Sequence, residues 1–306
     1  MKNIPRFIMM IGLPGSGKST LAKEIAKNID GQVISSDEIR KEIFGDENIQ
    51  DSPEKIFAEM LKKSKALLAS GTNVVYDATN ITRKHRKHTL SQLPECVKIA
   101  QIVFAKYETC IYQDSQRARN VGESVIKRML LNFQAPYYDE GWNEILIHIN
   151  GEKYSEKDYN DWMNCNHDNP HHNNTVLEHT LKVVDEAKKY IPAKATDFAG
   201  GMIGIILSIS TSLHDIGKKF TKAFKDSKGN ESKIAHFYGH HNVSAYYSLA
   251  YQPLDAMEMD MREKMLIVWL VNCHMEPFFK SKYYRSLNQG HKELLDALHW
   301  CDVKGA

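Results

Sequence analysis

One run of eight residues limits what this chain can become. Gly12-Leu13-Pro14-Gly15-Ser16-Gly17-Lys18-Ser19 fits the pattern G-x-x-x-x-G-K-[ST] at every position. Before it stands an apolar stretch, Phe7 to Ile11, that reads as a strand; after it a helical pattern runs from about Lys18 to Asn28. The glycines let backbone N–H groups turn inward around a polyphosphate, and the helix N-terminus adds partial positive charge. Lys18 is placed to reach the outer phosphates, and the Ser19 hydroxyl to ligate Mg²⁺. Gly12, Pro14, Gly15, Ser16, Gly17, Lys18, Ser19 and Thr20 are the expected contacts of a nucleoside triphosphate, ATP or another, with its Mg²⁺.

The rest of the first half supports that reading. Gln32–Ser35, Asn73–Asp77, Lys98–Phe104 and Glu144–Ile149 read as further strands, with helical segments near Glu38–Phe44 and Pro53–Ser70 and two more after Phe104. Alternating strands and helices imply an α/β fold with a parallel sheet covered on both faces. Open sheets of this kind bind ligands beyond the C-terminal ends of their strands. Asp37 falls there, in Ser35-Ser36-Asp37-Glu38-Ile39-Arg40, where a carboxylate can take the proton of an attacking hydroxyl. The position also suits a helix N-cap. Arg40, three residues on, shares its face and can grip an acceptor phosphate. Asp77 ends the third strand and is expected to support Mg²⁺ indirectly or to orient Ser19. Arg117 and Arg119 precede Val121-Gly122-Glu123-Ser124-Val125-Ile126 and suit a lid over the phosphates, with a solvated basic face as the plainer alternative.

Together these segments resemble the 5′-kinase domain of phage-type polynucleotide kinases and their bacterial end-healing relatives. The resemblance rests on the P-loop, Ser35-Ser36-Asp37-Glu38-Ile39-Arg40, Asp77-Ala78-Thr79-Asn80, and the lid from Arg117 to Ile126. It implies that Asp37 is the general base, Arg40 binds the acceptor 3′-phosphate and Arg117 faces the NTP. Gly122 departs from the pattern, standing where a proline is usual. Kinases of small molecules share the P-loop and the aspartate, so the acceptor is less constrained than the fold.

The second half has a different character. At 306 residues there is length for two domains, and eleven of the fourteen histidines lie at or beyond His167. After Gly151 a polar stretch to Asn174 reads as a linker or docking segment, and beyond it no strand signal recurs. Val176, Leu177, Leu181, Val183, Val184 and Ala187 form a helical stripe. The apolar run Met202–Leu213 ends in His214-Asp215, Met265–Val271 ends near His274, and a last helix over Leu294–Trp300 ends near Asp302. His179 lies within the first of these helices. Imidazoles and carboxylates are costly to bury unless they are paired or hold a metal. Four helices each delivering such a group suggest one shared metal cluster, although a lone core histidine is more often simply hydrogen-bonded.

His179, His214-Asp215-Ile216-Gly217-Lys218, Phe237-Tyr238-Gly239-His240, Cys273-His274-Met275 and Asp302 resemble the HD phosphohydrolase superfamily, in the same order. Asn169-Pro170-His171-His172 and Leu177-Glu178-His179-Thr180 look especially like the HD domains of bacterial CCA-adding enzymes. The resemblance implies an all-α domain over about 165–306, after a P-loop domain over 1–150 and a linker over 151–164. By position, His179, His214, Asp215 and Asp302 would hold one metal, and His240 and His274 would join Asp215 on a second. Such N/O ligands suit Mn, Fe, Co, Ni or Zn. Lys218 would neutralise the substrate phosphate. His241 stands where the family often has Glu. Arg285 reads as a surface residue, and His167, His236, His291 and His299 as structural or surface residues.

The two halves make a consistent pair. A 5′-kinase and a phosphoesterase together convert a 5′-hydroxyl and a 2′,3′-cyclic phosphate, or a 2′- or 3′-phosphate, into the ends a separate ligase requires. The expected substrates are RNA ends, tRNA among them, with DNA as an alternative. Two other readings compete: a nucleoside-type small-molecule kinase fused to a nucleotide phosphohydrolase, and a kinase with a non-catalytic tRNA-binding HD module. The net charge of +2 gives no overall reason to bind nucleic acid, so a basic groove must be local. Five scattered cysteines without a C-x-x-C pair point to a reducing cytoplasm. No apolar run suggests a membrane span. Oligomeric state stays open.

Overall fold

The computed structural model describes residues 4–45, 52–117, 119–169, 174–190 and 198–306. The chain divides into two compact units. The first comprises residues 1–129 and 136–152, the second 130–135 and 153–306.

In the first unit the elements follow one another as β1 (Arg6–Ile11), α1 (Lys18–Asn28), β2 (Gly31–Ser35), α2 (Ser36–Phe44), α3 (Pro53–Ala69), β3 (Asn73–Asp77), α4 (Arg83–Leu90), β4 (Val97–Phe104), α5 (Tyr107–Ser115), α6 (Glu123–Leu131, its last two residues grouped with the second unit) and β5 (Glu144–Ile149). The strands form one sheet in the order β2-β3-β1-β4-β5, parallel throughout. Central β1 is buried on both faces after Arg6, which is why it reads as an unbroken apolar run. Ile8 and Met10 point to the α1 side, packed with Ala22, Ala26, Val75, Ile99 and Val103; on the other side Phe7 meets Tyr76 with ring centroids 5.5 Å apart. Register pairs Ser35 with Asp77 and Met9 with Tyr76, so Asp77, the end of β2 and the P-loop share one edge of the sheet.

A buried ion pair braces that edge. The Arg86 side chain donates from Nε and Nη2 to the two oxygens of Glu140 at 2.7 and 2.6 Å, and both side chains are fully buried. The third arm of the fork, Nη1, donates to the Asn80 carbonyl at 3.0 Å, fixing the loop that follows Asp77.

The second unit contains α7 (Glu156–Met163), α8 (Val176–Tyr190), α9 (Phe198–Leu213), α10 (Lys218–Thr221), β6 (Ala223–Lys225), β7 (Glu231–His236), α11 (His240–Ser248), α12 (Met261–Cys273), α13 (Glu276–Phe279), α14 (Lys282–Ser286) and α15 (Gln289–Gly305). Helix α8 packs on α9 and α15, and α12 on α9 and α11. Three differences from the sequence reading stand out. The stretch read as a linker holds α7, opened by a capping box in which Ser155 and Asp158 satisfy each other's backbone N–H. The expected all-helical unit contains a two-stranded antiparallel hairpin, β6–β7. Helix α15 continues through Asp302 rather than stopping before it. Among the described residues no helix is long and apolar enough to cross a membrane.

Candidate functional site

The P-loop owes its shape to three glycines in conformations that L-residues avoid. Gly15 and Gly17 have φ of 75° and 93°. A Cβ on Gly15 would stand 2.1 Å from the Cys110 carbonyl oxygen, and one on Gly12 2.4 Å from that of Val103. The loop thus presses against β4 and α5 where only backbone fits. Lys18 Nζ folds back to donate to the Leu13 carbonyl at 2.5 Å and lies 3.4 Å from Ser16 Oγ. Burial lowers the Lys18 pKa to about 8, opposed chiefly by the charge of Asp77. A cation held there against desolvation, with its loop carbonyl as partner, fits an incoming polyphosphate. Burial raises the Asp77 carboxyl, and a hydrogen bond with Ser19 acts in the opposite direction. The pair expected to support Mg²⁺ is therefore in contact.

The candidate base and its neighbours come together at the start of α2. Ser35, not Asp37, is the N-cap: its Oγ accepts from the Asp37 N–H at 3.3 Å. That leaves the Asp37 carboxylate for other partners. Arg40 Nη1 donates to Asp37 Oδ1 at 2.9 Å, and Arg119 Nη1 pairs with the same oxygen. Burial, then the charge of Arg119, lowers the Arg40 pKa. Arg117 is exposed and close enough to Lys18 to oppose its charge. The carboxylate of buried Asp114 accepts from the N–H groups of Val121 and Gly122, both at 3.0 Å, and so anchors the segment after the two arginines. Gly122 has φ of 82°, which a proline ring cannot reach, so a proline does not fit this backbone.

In the second unit, His179 from α8, His214 and Asp215 after α9, His240 at the start of α11, His274 after α12 and Asp302 from α15 converge. His179 Nε2 lies 3.0 Å from Asp302 Oδ1 and 3.6 Å from Asp215 Oδ2. His214 Nε2 lies 3.3 Å from each of the same two oxygens. On the other side, Asp215 Oδ1 is 3.4 Å from His240 Nε2, which in turn is 3.1 Å from His274 Nε2. Two donor sets result, His179–His214–Asp215 and Asp215–His240–His274, each with its ligand atoms within 4.8 Å of one another. Asp215 belongs to both.

The rings are aimed by the backbone. The Nδ1 atoms of His214, His240 and His274 face the carbonyl oxygens of Thr211, Phe237 and Val271 at 2.7, 2.9 and 2.7 Å, and His179 Nδ1 faces that of Gly305 at 3.3 Å. A carbonyl only accepts, so each Nδ1 carries a proton and each Nε2 points inward. Lys218 Nζ stands 2.6 Å from Asp215 Oδ2 as an ion pair. Neither that oxygen nor His214 Nε2 has a hydrogen bond of acceptable geometry, although both are buried. Burial works against charge on His214, but Asp215 and Asp302 overcome it and raise the pKa to about 10. Burial lowers His240 and His274, so these two rings are neutral. Two neutral rings whose Nε2 lone pairs face each other, with Asp215 Oδ1 3.4 Å from that of His240, fit a dication.

One residue treated as structural belongs beside this cluster. His167 is fully buried, its Nε2 lies 3.1 Å from Lys218 Nζ, and its ring packs edge-on to that of His179. It escaped notice because it sits in irregular chain, where no apolar helix marks a polar residue as out of place. Pro170, His171 and His172 lie outside the described residues. His241 touches His240 edge-on, and Arg285 is exposed on α14.

Part of the chain is similar to known proteins. An uncharacterized protein of Mycobacterium tuberculosis H37Rv is 36% identical over 87 residues, 24% of this chain. The chain spans 18% of that relative's length. Shikimate kinase 1 of Yersinia pestis (strain Pestoides F) is 25% identical over 169 residues, 42% of this chain and 98% of that enzyme. Among solved structures, the Pnkp1/Rnl/Hen1 RNA repair complex contains a chain with 24% identity and a TM-score of 0.37, covering 42% of this chain and 44% of that one. Residues 7–136 match the AAA domain family AAA_33, and the first unit has a P-loop kinase fold.

Proposed function

We propose that the protein heals RNA ends, with a polynucleotide 5′-kinase over 1–150 and an HD-type phosphoesterase over 165–306. The observation that carries this reading is a pairing within one chain. A P-loop fold presents Asp37 among arginines, and a second unit buries His179, His214, Asp215, His240 and His274 around one space.

In the kinase, the P-loop N–H groups and Lys18 hold the β- and γ-phosphates, while Ser19, backed by Asp77, serves Mg²⁺. Arg40 binds the phosphate next to the acceptor end. Asp37 takes the proton of the 5′-hydroxyl as its oxygen attacks the γ-phosphorus; the bond to the bridging oxygen breaks and a nucleoside diphosphate leaves. Arg117 faces the charge that develops on the transferred group.

In the phosphoesterase, His179, His214, Asp215 and Asp302 would hold one dication, and Asp215, His240 and His274 another, from Mn, Fe, Co, Ni or Zn. Such ions supply Lewis acidity toward water and phosphoryl oxygens. The four carbonyl-anchored rings keep their Nε2 atoms fixed, and Lys218 turns its charge toward the substrate phosphate. A separate ligase would join the healed ends.

An RNA with a 5′-hydroxyl and a 2′,3′-cyclic phosphate, incubated with ATP, Mg²⁺ and Mn²⁺, tests both halves. Gain of a 5′-phosphate with loss of the cyclic phosphate is expected. Unchanged ends would refute the proposal. A small-molecule kinase joined to a nucleotide phosphohydrolase is the second reading, favoured by the near-complete coverage of shikimate kinase 1. Phosphorylation of a small hydroxylated acceptor without transfer to RNA would select it.

A further inference from the structure

Between Lys218 and His240 the chain makes the β6–β7 hairpin, and its composition is lopsided. Residues 218–240 carry six lysines against two acids, Asp226 and Glu231. Lys219, Lys225, Lys228 and Lys233 are exposed. Lys225 lies 3.9 Å from Glu231, whereas Lys219, Lys228 and Lys233 form no ion pair among the described residues. The turn is pinned by Asp226, whose carboxylate accepts from the N–H groups of Lys228 and Asn230 at 2.8 and 2.9 Å. The lysines therefore project from a defined hairpin rather than a loose loop.

Aromatic rings stand among them. Tyr238 is half exposed and lies parallel to His236, with centroids 5.4 Å apart and planes 6° from parallel. His236 is held from both sides, by Tyr238 OH at Nδ1 and Ser232 Oγ at Nε2, each at 3.3 Å. Phe224 on β6 is 44% exposed. Basic side chains interleaved with exposed rings are the chemistry of a single-stranded nucleic-acid surface, where bases stack and the backbone meets lysines. The same loop serves the metal-type cluster. The Phe237 carbonyl holds His240 Nδ1, and Lys218 Nζ lies 5.6 Å from the centre of the Phe237 ring.

We propose that this hairpin receives the single-stranded 3′ end of the RNA. An unpaired base near the terminal phosphate stacks on Tyr238, and the phosphates behind it run along Lys225, Lys228 and Lys233. The proposal rests on the RNA-end reading and adds a preference that reading does not contain. Bases paired in a duplex offer no open face to Tyr238, so single-stranded ends bind and blunt ends do not.

The test is fluorescence anisotropy with the full chain and a labelled octanucleotide RNA bearing 5′- and 3′-phosphates, alone and as a blunt duplex. Tyr238→Ala is expected to weaken single-strand binding at least about fivefold, while Tyr238→Phe, which keeps the ring, restores it. The triple variant Lys225→Gln/Lys228→Gln/Lys233→Gln is expected to lower the slope of log K against log salt by about 2, from roughly 0.7 per phosphate contact. Wild-type affinity in all these variants would overturn the hairpin proposal and leave the RNA reading standing. Failure of the wild type to bind any RNA would overturn both. Intact RNA binding with loss of self-association in the variants would assign the surface to a second copy of the chain and overturn the proposal.

Discussion

Arg40 and Arg119 meet the same oxygen of Asp37, Oδ1, and the proposed transfer would use the second oxygen of the carboxylate toward the acceptor hydroxyl. The two guanidinium groups arrive from different places, one from α2 and one from the segment before α6, and they hold the carboxylate in a fixed orientation. An amide in its place keeps the size but cannot take a proton. Asp37→Asn is expected to lower phosphoryl transfer at least about 100-fold while nucleotide affinity stays within about twofold, the P-loop being untouched. Single-turnover transfer and nucleotide titration check the two halves of this statement; a parallel loss of nucleotide binding would remove Asp37 from the role of base.

The facing Nε2 atoms of His240 and His274 lead to a second expectation. Adding Mn²⁺ or Ni²⁺ to metal-stripped protein, at about 100 times its dissociation constant, should raise the melting temperature of the second unit by about 5–10 °C. Asp215→Asn, which removes the charge shared by both donor sets, should abolish the shift. Scanning calorimetry with and without chelator reads it directly, and an unchanged transition would argue against a metal centre.

Lys18 makes nucleotide affinity depend on pH. Its pKa in the free protein is lowered to about 8 by burial, and a bound polyphosphate favours the charged form. Binding therefore takes up a proton above pH 8, and the dissociation constant of the nucleotide should rise by up to about tenfold per pH unit there. Below pH 8 the lysine is already charged, and the constant should be flat with respect to this group. Titrations between pH 7 and 9.5, with Lys18→Arg as the variant whose charge does not titrate, separate this effect from ionisation of the nucleotide.

Removing one partner of the Arg86–Glu140 pair leaves the other charge buried. Glu140→Ala is expected to cost about 3–5 kcal/mol, measured by denaturant unfolding of the first unit. A loss below about 1 kcal/mol would mean that water reaches Arg86. Because Arg86 also holds the Asn80 carbonyl, the variant should weaken nucleotide binding as well.

The sequence was most informative where physical requirements were strict. The P-loop needs its glycines, and the buried strand β1 needs apolar side chains on both faces, so both are legible in the residues themselves. His214, Asp215 and His274 were visible because each follows directly on an apolar helix, where an unsatisfied polar group is expensive. His167 had no such background and was missed. The hairpin was missed because strands that face water on both sides, such as Glu231-Ser232-Lys233-Ile234, lack the alternation that marks a half-buried strand. Helix α7 was overlooked although Ser155 and Asp158 have capping-box spacing, since its polar composition suggested loop. The Arg119–Asp37 contact joins residues 82 positions apart, and nothing local to either announces it.

His179 and Asp302, whose side chains touch, are separated by 123 positions, and the residues between them supply the rest of the cluster. No smaller piece of the second unit can assemble that site. Contacts between such distant positions form slowly, because most of the chain must be ordered before they are rewarded. During refolding from denaturant, helical signal should return first, and the His–Asp cluster should close only when α8 and α15 have found each other.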